Sequence, residues 1–368
     1  MSQFDANDAA HMARALELAA RGLTTTDPNP RVGCVVARGA TVVGEGWHQR
    51  AGGPHAEVFA LREAGELARG ATAYVTLEPC NHHGRTPPCV DALIAAGVSR
   101  VVHAQQDPHP LVNGAGAARL AAAGILVEGG LMDSAARALN AGFLSRMERQ
   151  RPWVRVKLAA SLDGRTALAD GESRWITGDA ARLDVQHLRA RSSAVLTGIG
   201  TVLRDDPRLD VRLPDTERQP LRVVLDPALR TPASARILGL PGRVLVLCRE
   251  DALGASAALE HVGVEVEAVP TDGGRLSLPA VLARLCAREV NELHVEAGPV
   301  VAGAFITAGL VDELVVYMAP VLLGPDARPL AALPALAGMH ERIGLELVDA
   351  RRVGEDLRMT LRPRAVWS

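Results

Sequence analysis

Apolar residues recur at helical spacing over 9–21, where Met12, Leu16 and Ala19 share a face behind the capping candidates Asp5 to Asp8. The prolines of Asp27-Pro28-Asn29-Pro30 then break the pattern. Val32-Gly33-Cys34-Val35-Val36 reads as a buried strand, which turns through Arg38-Gly39-Ala40 into a second strand over 41–47. A helix is predicted over 55–68 and a strand over 71–77. Pro87-Pro88-Cys89 opens another helix, because proline suits a first helical turn. Strands at 100–104 and 125–128 flank a small-residue helix over 115–123. Such alternation predicts an α/β layered fold. A helix over 139–150 ends in the charged run Arg146 to Arg151 before Pro152, which divides the chain into domains 1–149 and 150–368.

Beyond that joint, 153–160 alternates Val154, Val156 and Leu158 with Arg155 and Lys157, a strand pattern, and Ser161 to Thr166 make a turn. A helix runs from Asp179 to about Arg191, and strands are predicted at 194–198, 221–226, 243–248 and 264–269. A helix over 276–288 and a strand over 292–297 lead into Gly298-Pro299-Val300-Val301-Ala302-Gly303, which opens a further helix. A glycine turn from strand to helix presents backbone N–H groups to phosphate, or is simply a tight connection; the turn alone does not separate the two. The stretches 213–220, 227–242 and 328–345 carry no interpretable motif.

A chain of 368 residues, 48% hydrophobic and 22% charged, suits two soluble domains, each with its own core. The net charge of −2 supplies no basic field for nucleic acid. No run approaches the roughly 18 to 20 apolar residues of a membrane span, and the N-terminus lacks a signal-like pattern. Five cysteines do not make a disulfide framework in so long a chain, so the cytoplasm is the expected compartment. A homo-oligomer is the expected assembly. Of the 40 lysine and arginine residues only Lys157 is lysine, a hint of chemistry that needs an ammonium.

The chemistry is densest between His55 and Cys89. One imidazole (His55) and two thiolates (Cys80, Cys89) make three tetrahedral zinc ligands and leave the fourth position for water. Glu57, two residues from the histidine, supplies the carboxylate that such a water needs to shed and return a proton. The pattern is H-x-E…P-C-x8-C, a partial match to the H-x-E…P-C-x-x-C signature of zinc deaminases. Each ligand falls near a predicted helix N-terminus. Asn29, between two prolines, either hydrogen-bonds a heterocycle or closes an Asx turn. His82, His83 and Arg85, in the insert between the cysteines, either recognise a sugar or phosphate or simply face solvent.

Three stretches carry a specific resemblance: Asp27 to Gly33, Gly53 to Glu57 and Thr76 to Cys89. They resemble the pyrimidine deaminase domain of the bifunctional riboflavin-biosynthesis deaminase/reductase family, whose members share the long insert between the cysteines. In the second half Lys157 to Gly164, Trp175 to Gly178, Gly200 to Pro207, Val295 to Pro299, Leu310 to Leu314 and Ala319 to Gly324 resemble that family's reductase domain. The resemblance implies an N-terminal cytidine-deaminase-like three-layer α/β/α domain and a C-terminal dihydrofolate-reductase-like α/β domain. It makes His55, Cys80 and Cys89 the zinc ligands and Glu57 the proton shuttle, with Asn29, His82 and Arg85 toward the substrate. It also implies NADPH, contacted by Ala159, Trp175, Thr201, Asp205 and the run Gly298, Pro299, Val300, Val301, Ala302 and Gly303. Ser173, Arg189, Leu209, Arg212 and Glu296 would meet a pyrimidine ribosyl phosphate, and Lys157 joins the site as substrate binder or proton donor. A serine that follows the strand-end aspartate in some members is Pro227 here, after Asp226, so the resemblance does not carry over the cofactor contact from that side chain. The rival readings are a nucleoside or base deaminase with an unrelated C-terminal partner, and a chain whose C-terminal domain only binds.

Overall fold

The computed structural model describes residues 4–81, 87–108, 113–214 and 216–364. The chain divides into two compact units, Met1–Gln150 and Arg151–Ser368. The first is built from α1 (Ala6–Ala20), β1 (Gly33–Arg38), β2 (Thr41–Trp47), α2 (Ala56–Ala64), β3 (Thr72–Leu77), α3 (Cys89–Ala96), β4 (Arg100–Gln105), α4 (Ala115–Ala122), β5 (Leu126–Gly129), α5 (Asp133–Leu139) and α6 (Ala141–Arg149). Its sheet runs β2-β1-β3-β4-β5, with β1 antiparallel to both neighbours and β3, β4 and β5 parallel. One face packs Ala56, Ala60, Val90, Leu93 and Leu120 from α2, α3 and α4. The other packs Met12, Ala15, Leu18 and Ala136 from α1 and α5, giving three layers.

Two glycines of β2 set the depth of α2. A Cβ on Gly44 would run into the carbonyl oxygen of Ala60, and one on Gly46 into that of Ala56. The helix backbone therefore lies directly on the strand, with Ala56, Ala60 and Ala64 buried beneath it. Since α2 carries Glu57 and is entered from His55, this close approach places the first catalytic candidates. Asn140 ends α5 and begins α6 where the sequence predicts one helix over 139–150. Its side chain accepts from the Arg31 amide at 2.8 Å and donates to the Arg31 carbonyl at 2.9 Å, a long-range bond that a local pattern cannot reveal.

The second unit comprises β6 (Trp153–Ser161), β7 (Arg165–Ala167), α7 (Asp179–Arg191), β8 (Ala194–Gly198), α8 (Ile199–Asp205), β9 (Leu221–Leu225), β10 (Val244–Cys248), α9 (Ala257–Glu260), β11 (Glu265–Ala268), β12 (Thr271–Asp272) and β13 (Arg275–Leu276). It continues through α10 (Leu278–Ala287), β14 (Glu292–Val295), α11 (Pro299–Thr307), β15 (Glu313–Ala319), β16 (Arg328–Pro329), β17 (Leu345–Val353) and β18 (Asp356–Pro363). Nine strands form one sheet in the order β11-β10-β9-β8-β14-β6-β15-β18-β17. The first seven are parallel, and the C-terminal hairpin β17–β18 closes that edge antiparallel. Val156, Leu196, Val223, Leu245 and Val295 are wholly buried, as expected of parallel strands covered on both faces. Among the described residues no helix is long and apolar enough to cross a membrane.

Candidate active sites

In the first unit the three predicted ligands converge. His55 caps α2, Cys89 is the first residue of α3, and Cys80 follows β3. The His55 Nδ1 lies 3.2 Å from the Cys89 sulfur and 3.5 Å from the Cys80 sulfur, and all three ligand atoms fall within 4.8 Å of one another. A tetrahedral zinc with bonds of about 2.0 Å to nitrogen and 2.3 Å to sulfur has an N···S edge of about 3.5 Å, so the donors fit the ion in number, chemistry and spacing. The Cys89 side chain, opposed by burial and helped by His55 and by the Cys89 amide (3.4 Å from the sulfur), pulls the Cys80 thiol down to about 4. The bond to Cys80 and burial push Cys89 the other way.

Glu57 sits against this tripod, 3% exposed, with one carboxylate oxygen that has no hydrogen-bond partner. Burial raises its pKa, with the Cys80 charge adding to the shift and His55 opposing it. A buried carboxylate oxygen without a partner is costly and is kept where something binds to it. Asn29 closes no Asx turn with its side chain: the amide donates to Nε2 of His48 at 3.1 Å. The other imidazole nitrogen of His48 donates to the Pro54 carbonyl at 3.0 Å, which fixes the tautomer and leaves the Asn29 carbonyl oxygen for another donor. Edge to face, His48 also stands 5.3 Å from the His55 ring. His82, His83 and Arg85 lie outside the described residues.

The second unit holds a cavity of about 1000 Å³ across the C-terminal ends of its parallel strands, where open α/β sheets place ligands. Lys157 and Ala159 from β6, Thr201 and Asp205 from α8, Arg189 from α7, and Glu296 beyond β14 all line it. So do Ser173, Trp175, Leu209, Arg212 and the turn Gly298, Pro299, Val300 and Val301. A Cβ on Gly198 would sit 2.9 Å from Val301, and one on Gly298 would sit 3.9 Å from the Thr201 hydroxyl. The bare starts of α8 and α11 thus lie together, backbone amides available to a diphosphate, which fits a dinucleotide. Arg189 grips Glu296 through two bonds of 2.5 and 2.9 Å. Against the upward push of burial, its guanidinium holds the Glu296 carboxyl well below the usual range. Burial lowers the Lys157 pKa, which Glu296 opposes and Arg189 reinforces.

Residues 152–359 match the RibD C-terminal domain, and residues 5–105 match the cytidine and deoxycytidylate deaminase zinc-binding region. The riboflavin biosynthesis protein RibD of Escherichia coli K12 is 51% identical over 95% of this chain and 98% of its own length. The chain belongs to the RibD family. Its Haemophilus influenzae relative, also a riboflavin biosynthesis protein RibD, is 45% identical over the whole of both chains. Acinetobacter baumannii RibD superposes with a TM-score of 0.91 at 46% identity, covering 97% of this chain and 99% of that one. A Thermotoga maritima protein described as a diaminohydroxyphosphoribosylaminopyrimidine deaminase/5-amino-6-(5-phosphoribosylamino)uracil reductase superposes at 0.85, with 33% identity and the same coverage. As a RibD-family member the chain is a bifunctional deaminase and reductase of riboflavin biosynthesis, with zinc in the first domain and NADPH in the second.

Within this RibD fold two predicted cofactor residues stand apart from the cavity. Ala302 is wholly buried in the core, and Gly303 is buried where a Cβ would run into the Ala332 carbonyl. Both lie on the face of α11 that packs inward, while Pro299, Val300, Val301 and Ala304 of the same helix meet the cavity. Pro227 does line the cavity, without a side-chain donor. Sequence reasoning missed His48, whose only signal is its place between Asn29 and His55. Arg204, Arg236 and Arg275 on the cavity wall were missed too, since arginine is too common here to stand out.

Proposed function

We propose that the first domain hydrolyses the amino group from a diaminopyrimidinone carrying a ribosylamino 5′-phosphate, and that the second then reduces the ribosyl group to ribityl. The observation that carries the reading is the unpartnered buried oxygen of Glu57 beside an open three-ligand tripod. A zinc ion held by His55, Cys80 and Cys89 supplies a Lewis acid that makes water nucleophilic near neutral pH. Glu57 takes the proton of the attacking water and returns it to the departing ammonia. Asn29, its amide committed to His48, offers its carbonyl oxygen to a donor on the pyrimidine edge. His82 and Arg85 are assigned to the same substrate.

In the second domain NADPH supplies the hydride. Gly298, Pro299, Val300 and Val301 receive the diphosphate, with Thr201, Asp205, Ala159 and Trp175 lining the cofactor's course. Ala302 and Gly303 hold the helix behind that turn and touch no ligand. Arg212 takes the substrate phosphate. Arg189 and Glu296 act as one pair, the guanidinium orienting a carboxylate toward ribosyl hydroxyls, with Ser173 and Leu209 alongside. Lys157 lies among them and donates to the sugar oxygen that gains charge as the ring opens. The absence of a disulfide among the five cysteines, two of them assigned to the metal, supports action in a reducing cytoplasm. The exposed edge strand β17, with Leu347 and Val348 half-exposed, supports a homo-oligomer, which sedimentation tests. A single assay tests the function: with the diaminopyrimidinone phosphate supplied, ammonia release and NADPH oxidation are followed separately. Asp205→Ala and Lys157→Ala are expected to stop only the second; unchanged NADPH oxidation in both removes them from the site.

A further inference from the structure

Lys157 carries the only side-chain ammonium in the chain, and its surroundings are unusual. Among the described residues it makes no hydrogen bond or ion pair. Its direct partner is an aromatic face: Nζ lies 5.7 Å from the centroid of the Tyr317 ring. That is within the roughly 6 Å over which a ring quadrupole attracts a cation. The pairing follows from the register of two parallel strands. Lys157 on β6 stands beside Val315 on β15, and Tyr317, two residues on, shares its face of the sheet. Tyr317 is wholly buried beneath α7, and its hydroxyl donates to Asp184 of that helix at 2.5 Å. The same carboxylate oxygen accepts from Arg358 of β18 at 2.8 Å. The ring is therefore held at its edge by the sheet and at its tip by an ion pair.

We propose that Tyr317 is a positioning residue for the reduction, its face seating the Lys157 ammonium and the Asp184–Arg358 pair locking the ring. This rests on the reading that Lys157 acts in that step. The alternative seat for the ammonium is the Glu296 carboxylate, which already takes two bonds from Arg189. A lysine drawn there would satisfy a structural ion pair and lose its donors to the substrate. An aromatic face attracts the cation without consuming its N–H bonds, so all three stay available to the cavity.

The charged groups facing Lys157 are Glu296 at the end of β14, which favours the ammonium, and Arg189 of α7, which opposes it. Asp184 is offset by Arg358. Removing the ring removes one stabiliser of the protonated form, so the lysine should lose its proton at lower pH. A desolvated cation–π contact corresponds to a shift of about one pH unit.

Because the chain has one lysine, protein grown on isotope-labelled lysine gives a single ε-methylene signal, and its titration reads this residue alone. In the wild-type chain the signal is expected upfield of an exposed lysine, from the ring current of Tyr317. In Tyr317→Leu the upfield shift should vanish and the midpoint fall by about one unit. The alkaline limb of kcat for NADPH oxidation should follow it, with kcat down at least about tenfold and the KM for NADPH unchanged. Tyr317→Phe, which keeps the face, should rescue most of kcat and the shift, and ammonia release should continue in both variants. An ε-methylene signal at the exposed position in the wild-type chain overturns the proposal without any variant having to fold. So does a Tyr317→Leu profile whose limb has not moved, or a Tyr317→Phe variant as damaged as Tyr317→Leu. Lys157→Met separates the layers. If it retains reduction, the underlying reading fails and the proposal with it; if it abolishes reduction while Tyr317→Leu is normal, the seat alone is wrong.

Discussion

Replacing Glu57 by glutamine should abolish deamination and leave nearly everything else intact. The side chain is 3% exposed and one of its oxygens has no partner, so the substitution breaks no hydrogen bond at that atom. It exchanges a buried carboxyl for a neutral amide of the same shape, and an unsatisfied amide costs about 1–3 kcal/mol, partly offset by losing the buried charge. At about 2–4 °C per kcal/mol for a domain of this size, the melting temperature should therefore move by no more than about 12 °C. Glu57 is not a ligand, so zinc should stay at about one per chain, as the tripod requires. The chemical loss is far larger. General acid–base assistance is worth about 10²–10⁴-fold, or about 2.7–5.4 kcal/mol of barrier. Here one carboxyl serves twice, toward water and toward ammonia, so the loss should reach the top of that range. If Glu57 were only a first-turn carboxylate stabilising α2, it would contribute about 0.3–1 kcal/mol of stability and ammonia release would be nearly normal. The assay measures ammonia from the diamino substrate, NADPH oxidation with the deaminated one, and metal content on the same sample. Ammonia release above about 1% of wild type would refute the shuttle. Loss of NADPH oxidation as well would refute the independence of the two reactions.

Further consequences can be measured. A Cys80→Ser, Cys89→Ser double variant should lose its zinc by metal analysis while retaining NADPH oxidation; undiminished zinc would overturn the ligand assignment. Gly303→Ala should destabilise the second domain by about 1–3 kcal/mol, because the new Cβ meets the backbone of Ala332, and a normal unfolding midpoint would contradict that packing. Asp8, held by Arg100 and Tyr74, has its carboxyl lowered to about 2. A carboxylate lowered by folding stabilises above its unfolded pKa near 4, and that contribution of about 2 kcal/mol is lost as pH falls toward 2. Asp8→Asn should flatten the stability–pH curve in that window, seen by denaturant unfolding at several pH values.

Much of the deaminase site was legible in the sequence because its chemistry is local. His55 and Glu57 are two residues apart at one helix start, and Cys80 and Cys89 lie nine positions apart, so residue type and spacing alone announce a metal site with a proton acceptor. The α/β alternation was legible for a similar reason, since buried parallel strands are short apolar runs between glycine turns. The antiparallel edge was not. In β17 nearly every residue is exposed on both faces, so no alternating burial marks Leu345–Val353 as a strand; its pairing with β18 makes it one. The break at Asn140 likewise depends on a group far along the chain, the backbone of Arg31.

Within the reductase cavity the division is sharper. Residue types nominated Gly298 to Gly303 as one run, but a helix shows only one of its faces to a ligand, here Pro299, Val300, Val301 and, a turn on, Ala304. Which of the six face the cavity was decided by where α11 packs, with Ala302 and Gly303 turned toward the core and Ala332. Composition singled out Lys157, yet its environment comes from strand order: β15 lies next to β6, with a register that carries Tyr317 onto the same face. The sequence determines which groups can bind metal, shed protons or accept phosphate, because those are properties of side chains. Only the tertiary structure decides which of them share a cavity and with what charge state, because burial and neighbouring charges arise when distant segments pack together.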